Sequence, residues 1–284
     1  MSYFRHLLTG FALMTALTAS ATEPEKHTHQ YVEVRGSRIF VQISGNGPPV
    51  LFLHGGLHDF DNSFAKQRDE FARSHTVIGV DQRGHGHSPD DARPFSYQEM
   101  AEDSAELIRV LRLGVVDVVG HSDGGNVALR LARSHPELVR RIVISGANLR
   151  PSLPPEELQV RQQWSTQQLT EFLAGFEQRL PSSFRTDYEA VTPDGAAHWS
   201  VVVAKSYRLW LTPIVISSAD LAAIQAPVLV IAGDKDFASI EETAEIYRGL
   251  GKAQLFIVPG AGHGTFSQKP ELVNLAIRQF LDAL

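Results

Sequence analysis

Two kinds of hydrophobic pattern alternate along most of the chain. The continuous apolar run at 50–53 reads as a strand buried on both faces, 76–80 as another buried strand, and the apolar-rich segments 115–119, 139–144, 228–231 and 255–258 as further strands. Between them, apolar residues recur three or four apart. This occurs at 64–71, from 96 onward through Met100, Leu107, Val110 and Leu111, and again at 123–134, 241–249 and 270–283. That spacing predicts amphipathic helices. Ser96 with Glu99 three residues later predicts a capping box at a helix start. Two β-rich runs, 31–34 and 39–43, flank Gly36-Ser37 and predict a hairpin. Strands alternating with helices imply an α/β fold. Its mostly parallel central sheet is covered by helices on both faces, with the hairpin as an antiparallel edge.

Segment 148–226 breaks this rhythm. It holds no convincing sheet strand, and Pro151, Pro154 and Pro155 open it. Ser165 and Gln168 predict a second capping box, for a helix carrying Leu169, Phe172, Leu173, Phe176 and Leu180 on one face. Trp199, Val202, Val203 and Trp210 predict a further helix. We read 148–226 as an inserted helical cap that divides the α/β core into 22–147 and 227–284. Trp164, Trp199, Tyr207 and Trp210 are expected to form the core of the cap rather than a substrate wall.

The first 21 residues have a different character. Arg5 and His6 precede an apolar run at 7–19, and no acidic residue occurs before Glu23. The run is too short to span a bilayer, and Ala19-Ser20-Ala21 offers small residues for cleavage. We expect a signal peptide cleaved after Ala21, export to the periplasm or beyond, and no stable membrane anchor afterwards. Loss of Arg5 would take the formal net charge from −6 to −7.

Composition narrows the chemistry. With 43% hydrophobic and 20% charged residues among 284, the chain is an ordinary globular protein able to bury a sizeable core. The absence of cysteine excludes disulfides, a thiol nucleophile and zinc-thiolate sites. With 26 Lys and Arg against 32 Asp and Glu, and no basic run, nucleic acid is not an expected partner. Among twelve histidines the tightest pairs are His54/His58 and His85/His87. Neither is followed by the further ligands a catalytic metal needs, so no metal and no cofactor are expected.

The chemistry collects just after the strands. Gly120-His121-Ser122-Asp123-Gly124 follows a buried strand and opens a helix. A G-x-S-x-G in that place forms a strained turn that lifts the serine hydroxyl above the sheet. His54-Gly55-Gly56 follows strand 50–53 and could supply a backbone N–H to an oxyanion hole. We assign that donor to Gly56 and the second donor to Asp123. Gly233-Asp234-Lys235-Asp236 and Gly262-His263-Gly264 follow two later strands. Serine needs an imidazole to take its proton, and the imidazole needs a carboxylate to hold its tautomer. We assign Ser122, Asp236 and His263 as catalytic residues, with Asp234 as the competing acid and likelier turn former. The Asp123 side chain has two readings, favourable placement at a helix N-terminus or contact with a substrate group. His121 is expected to pack beneath the turn.

With these residues in place, the chain resembles the α/β-hydrolase superfamily of serine hydrolases over about 31–284. The resemblance rests on His54-Gly55-Gly56, Gly120-His121-Ser122-Asp123-Gly124-Gly125, the 227–236 stretch and Pro259-Gly260-Ala261-Gly262-His263. It also includes Asp81-Gln82-Arg83-Gly84-His85-Gly86-His87-Ser88, which looks like the family's D-x-R-G-x-G-x-S loop and is expected to buttress the site without doing chemistry. The chain is most similar to a capped esterase-like branch that includes valacyclovir-hydrolase-like and macrolide-esterase-like proteins. The resemblance implies the α/β-hydrolase fold with an inserted helical cap. It also implies cleavage of a small-molecule carboxylic ester or lactone, with a macrolactone or xenobiotic ester among the candidates. Ser122 argues against the epoxide hydrolases and haloalkane dehalogenases, which use aspartate. A carbon–carbon bond hydrolase or a perhydrolase with the same triad is the alternative, and a ligand-binding module with little turnover is an alternative of another class. A monomer or small homo-oligomer is expected.

Overall fold

The computed structural model describes residues 27–151, 153–212 and 216–282. The expected signal peptide, 1–21, lies outside the described residues. Eight strands form one sheet: β1 (Thr28–Val34), β2 (Ser37–Ser44), β3 (Pro49–Leu53), β4 (Thr76–Asp81), β5 (Val116–His121), β6 (Val139–Ser145), β7 (Val228–Gly233) and β8 (Ala253–Val258). Their order is β1-β2-β4-β3-β5-β6-β7-β8. The β1–β2 and β2–β4 pairs are antiparallel and every later pair is parallel. The hairpin therefore forms one edge of the sheet. Its turn is Arg35-Gly36, with both residues at positive φ (47° and 82°), one residue earlier than expected from sequence. A two-residue hairpin loop of type I′, whose twist matches the strands, demands positive φ at both central positions. Ser37 instead pairs with Val34 and donates its hydroxyl to Asp91 at 2.6 Å.

Helices close both faces of the sheet. α1 (Phe60–Phe71), α10 (Thr265–Gln268) and α11 (Pro270–Leu281) pack on one side, where Phe52, Phe60, Phe64, Phe71 and Phe266 form an aromatic core. α2 (Tyr97–Val110), α3 (Asp123–Ser134) and α9 (Ile240–Gly249) lie on the other. Ser96 does cap α2 in an extended conformation, but its side chain makes no capping bond. Glu99 pairs with Arg35 at 3.0 Å, and a carboxylate held by the hairpin turn is not free to complete the box. Between β6 and β7 the chain forms α4 (Pro155–Gln162), α5 (Thr166–Glu177), α6 (Ser182–Val191), α7 (Trp199–Trp210) and α8 (Ser218–Ala223), with no strand among the described residues. The box of Ser165 and Gln168 at the start of α5 is fully formed.

Parallel strands bring the segments after β3, β5, β6, β7 and β8 to one edge of the sheet, where ligands of open α/β sheets bind. The 81–88 loop buttresses this edge. The Asp81 carboxylate accepts from the amides of Phe60 and His87 at 2.9 Å each. The fully buried Arg83 ties Asp91 to Asp103.

Candidate active site

Ser122 sits between β5 and α3 at φ 53° and ψ −119°, a conformation that costs an ordinary residue free energy and is held only by close packing around it. The packing requires glycine on both sides. A Cβ on Gly120 would lie 2.3 Å from the carbonyl oxygen of Gly124, and one on Gly124 would lie 1.9 Å from that of Leu53. The elbow is thus wedged between β3 and the first turn of α3. Asp123 begins α3, so its amide belongs to the helix-start N–H groups that lack an intrahelical acceptor.

The 54–58 loop packs directly on this turn. A Cβ on Gly55 would stand 3.1 Å from the Ser122 Cβ, and one on Gly56 would stand 2.3 Å from Asp123 Oδ2. His54 is buried and neutral, because burial holds its pKa well below the ordinary histidine value. Its Nε2 accepts from the Gln82 amide at 2.9 Å, which fixes the loop to the buttress.

From β7, Asp236 projects a fully buried side chain to His263, with Oδ1 2.8 Å from Nδ1. The Ala238 amide donates to the same oxygen at 3.1 Å. Gly146, just beyond β6 at φ 65°, makes room for the pair. A Cβ there would lie 2.6 Å from His263 Cε1. The rival acid, Asp234, is spent on the loop, its Oδ1 accepting from the Gly260 amide at 2.7 Å. His121 is buried beneath the turn, its ring 4.9 Å from that of His263, and burial keeps it neutral. Ser122, His263, Gly56 and Asp123 all line one cavity of about 610 Å³. The structure thus brings every sequence-assigned site residue to one place.

The Asp123 side chain is buried at the cavity wall. Its Oδ1 accepts from the Tyr97 hydroxyl at 2.6 Å and its Oδ2 from the Trp210 indole N–H at 2.9 Å. Burial raises its pKa, while the two hydrogen bonds oppose that shift. The carboxylate therefore clamps the elbow to α2 below and α7 above. Of its two sequence readings, placement at a helix N-terminus is seen directly, since Asp123 is the first residue of α3.

The remaining walls come mostly from the helices between β6 and β7. Phe172, Phe176, Leu180, Phe184, Tyr207 and Trp210 line the cavity, together with Arg161 and Arg179. This corrects the expectation that the aromatic residues form only cap core. Trp199 does, being buried against Tyr188, and Trp164 packs on Phe172. Tyr207 and Trp210 face the cavity because α7 presents its last turn to the elbow. Sequence reading also missed Tyr97, Phe237 and the two arginines. Phe237 is largely exposed at the cavity mouth, its ring 4.1 Å from that of His263. Adjacency to Asp236 was its only sequence signal. His58, weighed only as a metal ligand, instead stacks edge-on against Phe184 at 4.4 Å. Burial, with repulsion from His263 and His85, lowers its pKa to about 4.

Known proteins carry the same architecture. An AB hydrolase superfamily protein of Bacillus subtilis is 30% identical over 257 residues, spanning 85% of this chain and 94% of that protein. A thermophilic esterase from Thermogutta terrifontis superposes with a TM-score of 0.73 at 25% identity, covering 90% of this chain and 98% of its own. An enzyme described as degrading N-acyl homoserine lactones superposes at 0.69, also at 25% identity, covering 88% and 100%. The model of the alpha/beta hydrolase family matches residues 50–276. The chain is a hydrolase and belongs to the alpha/beta hydrolase family.

Proposed function

We propose that this hydrolase cleaves a carboxylic ester or lactone through Ser122, His263 and Asp236. The carrying observation is the strained Ser122 turn, opening into the same cavity as an imidazole whose Nδ1 is held by a buried aspartate. His263 Nε2 takes the proton as Ser122 Oγ attacks the carbonyl carbon. The oxyanion is met by the amides of Gly56 and Asp123, and such donors typically contribute about 10²–10³ in rate each. The carbon–oxygen bond breaks, and the leaving alcohol takes the proton from His263. Water, deprotonated by the same imidazole, then releases the acid. Asp236 holds the tautomer that leaves Nε2 free to accept.

Helices α4–α8 act as the cap over this reaction, and export through segment 1–21 places it outside the cytoplasm. The esterase and the lactone-degrading enzyme at 25% identity support an oxygen-ester class of substrate. A fluorophosphonate probe tests the reading. Wild type should be labelled and turn over short 4-nitrophenyl esters. The Ser122→Ala variant should do neither, and equal labelling of the two proteins would refute the assignment.

A further inference from the structure

The cavity wall around α5 carries a charge arrangement that the acyl-transfer steps do not use. Two guanidinium groups lie against one phenyl ring. Arg161 is 4.6 Å from the centre of Phe172 and Arg179 is 5.7 Å from it, while Arg179 also lies 5.9 Å from Phe176. Both arginines line the cavity. Arg161 is already engaged, donating to Glu157 one turn earlier and to the Tyr207 hydroxyl. Arg179, exposed just past the end of α5, rests on the two rings and forms no ion pair among the described residues.

No wall group supplies the missing anion. Asp123 is the one carboxylate among the lining residues, and both of its oxygens are taken by Tyr97 and Trp210. His58 is neutral at ordinary pH. Arg179 is open to solvent on one side, but a cation backed by an apolar aromatic wall at a cavity still attracts an entering anion more strongly than one surrounded by water on every side. The planar guanidinium matches a carboxylate through two parallel hydrogen bonds. A phosphate dianion would lose more hydration in this apolar cavity than a single free guanidinium returns.

We propose that Arg179 is a substrate-binding residue that recognises a free carboxylate, carried at the far end of an apolar chain from the reacting carbonyl. The preferred substrates are then half-esters of dicarboxylic acids or lactones bearing an acid group. This rests on the serine-hydrolase reading above. Stacking on Phe172 and Phe176 holds the guanidinium in place, so less side-chain freedom is lost on binding.

The test compares 4-nitrophenyl hexanoate with the 4-nitrophenyl half-ester of adipic acid, matched in chain length. Wild type should favour the half-ester in kcat/KM by about 10-fold, within the range of one charge-assisted hydrogen bond. Arg179→Gln should abolish that preference, bringing the ratio of half-ester to hexanoate kcat/KM to about one. Free adipate should slow fluorophosphonate labelling of Ser122 more than hexanoate does in wild type, and equally in Arg179→Gln. A wild-type preference for hexanoate, or an equal loss on both esters in the variant, overturns the inference while the hydrolase reading stands. Absence of both labelling and turnover in wild type removes the two together.

Discussion

On the core wall of the cavity, backbone meets backbone; on the helical wall, side chains meet space. Around Ser122 a single added carbon would fall 1.9 Å from Leu53 O at Gly124, 2.3 Å from Gly124 O at Gly120, and 2.6 Å from the His263 ring at Gly146. Across the cavity, Phe172, Phe176, Phe184, Tyr207 and Trp210 contribute rings that could be exchanged for others of similar volume. Core substitutions that keep volume usually cost little, whereas an atom placed inside a backbone contact forces the chain to move. The difference implies a division of labour. In the reaction proposed above, the core wall would set which bond is attacked and the helical wall which molecule is admitted.

That division can be broken at four places. Asp236→Asn would reverse the hydrogen bond that sets the His263 tautomer, and should lower kcat by about 10⁴ with the fold intact. A loss of less than about tenfold, measured on a short ester, would return the role to another acid. Gly56→Ala places a carbon 2.3 Å from Asp123 Oδ2 and 2.9 Å from Trp210 Cζ2. The loop must shift, and kcat should fall by about 10²–10³, as when one oxyanion donor is removed. Unchanged kcat in a folded variant would show that the Gly56 amide is not a donor. Trp210→Phe tests whether the helical wall also bears on the reaction. It leaves one oxygen of the buried Asp123 without a donor, at a cost of about 1–3 kcal/mol. The elbow should loosen, lowering kcat by about 10-fold. An effect confined to KM would restrict Trp210 to substrate contact.

The smallest expected effect is on stability. His54, His58, His85 and His121 are all pushed towards the neutral form by burial, His58 to about 4 from 6.5. Below the unfolded value the denatured chain takes up protons that the folded chain refuses, so stability falls as pH drops from 6.5 towards 4. His87, raised by its hydrogen bond to Asp81, and the buried carboxyls of Asp59, raised to about 7, and Asp123 oppose this and favour the fold at low pH, so the four histidines must outweigh them. Urea denaturation of wild type should show a lower midpoint at pH 5 than at pH 7. His58→Phe should flatten that dependence, and an undiminished slope in the variant would mean that His58 ionises freely in the fold.

Legibility in the sequence followed the same divide. The elbow was readable because its glycines are demanded by backbone contact, and a backbone contact leaves the same residue type wherever it recurs. Asp236 and His263 were readable because each lies in the loop that follows an apolar strand, β7 fully buried and β8 the partly exposed edge of the sheet. The hairpin turn slipped by one residue because Gly36 could serve either register until strand pairing chose. The Ser96 box failed because Glu99 found Arg35, a partner 64 positions away in sequence. The Asp123 clamp left no local trace. Tyr97, Asp123 and Trp210 lie on three separate helix ends, and each alone has an ordinary local reading.

By itself, then, the sequence determined the strand–helix alternation, the strained Ser122 turn and the candidate acid and base. These depend on local backbone demands and on residue types that few positions can replace. Only the tertiary structure decided that Asp123 is clamped, that Tyr207 and Trp210 face the cavity, and that Arg179 lines it with no ion pair among the described residues. Each of those is a matter of which side chains meet after the helices between β6 and β7 fold back over the sheet. The periodicity of a helix says which face is apolar, but not what that face will meet.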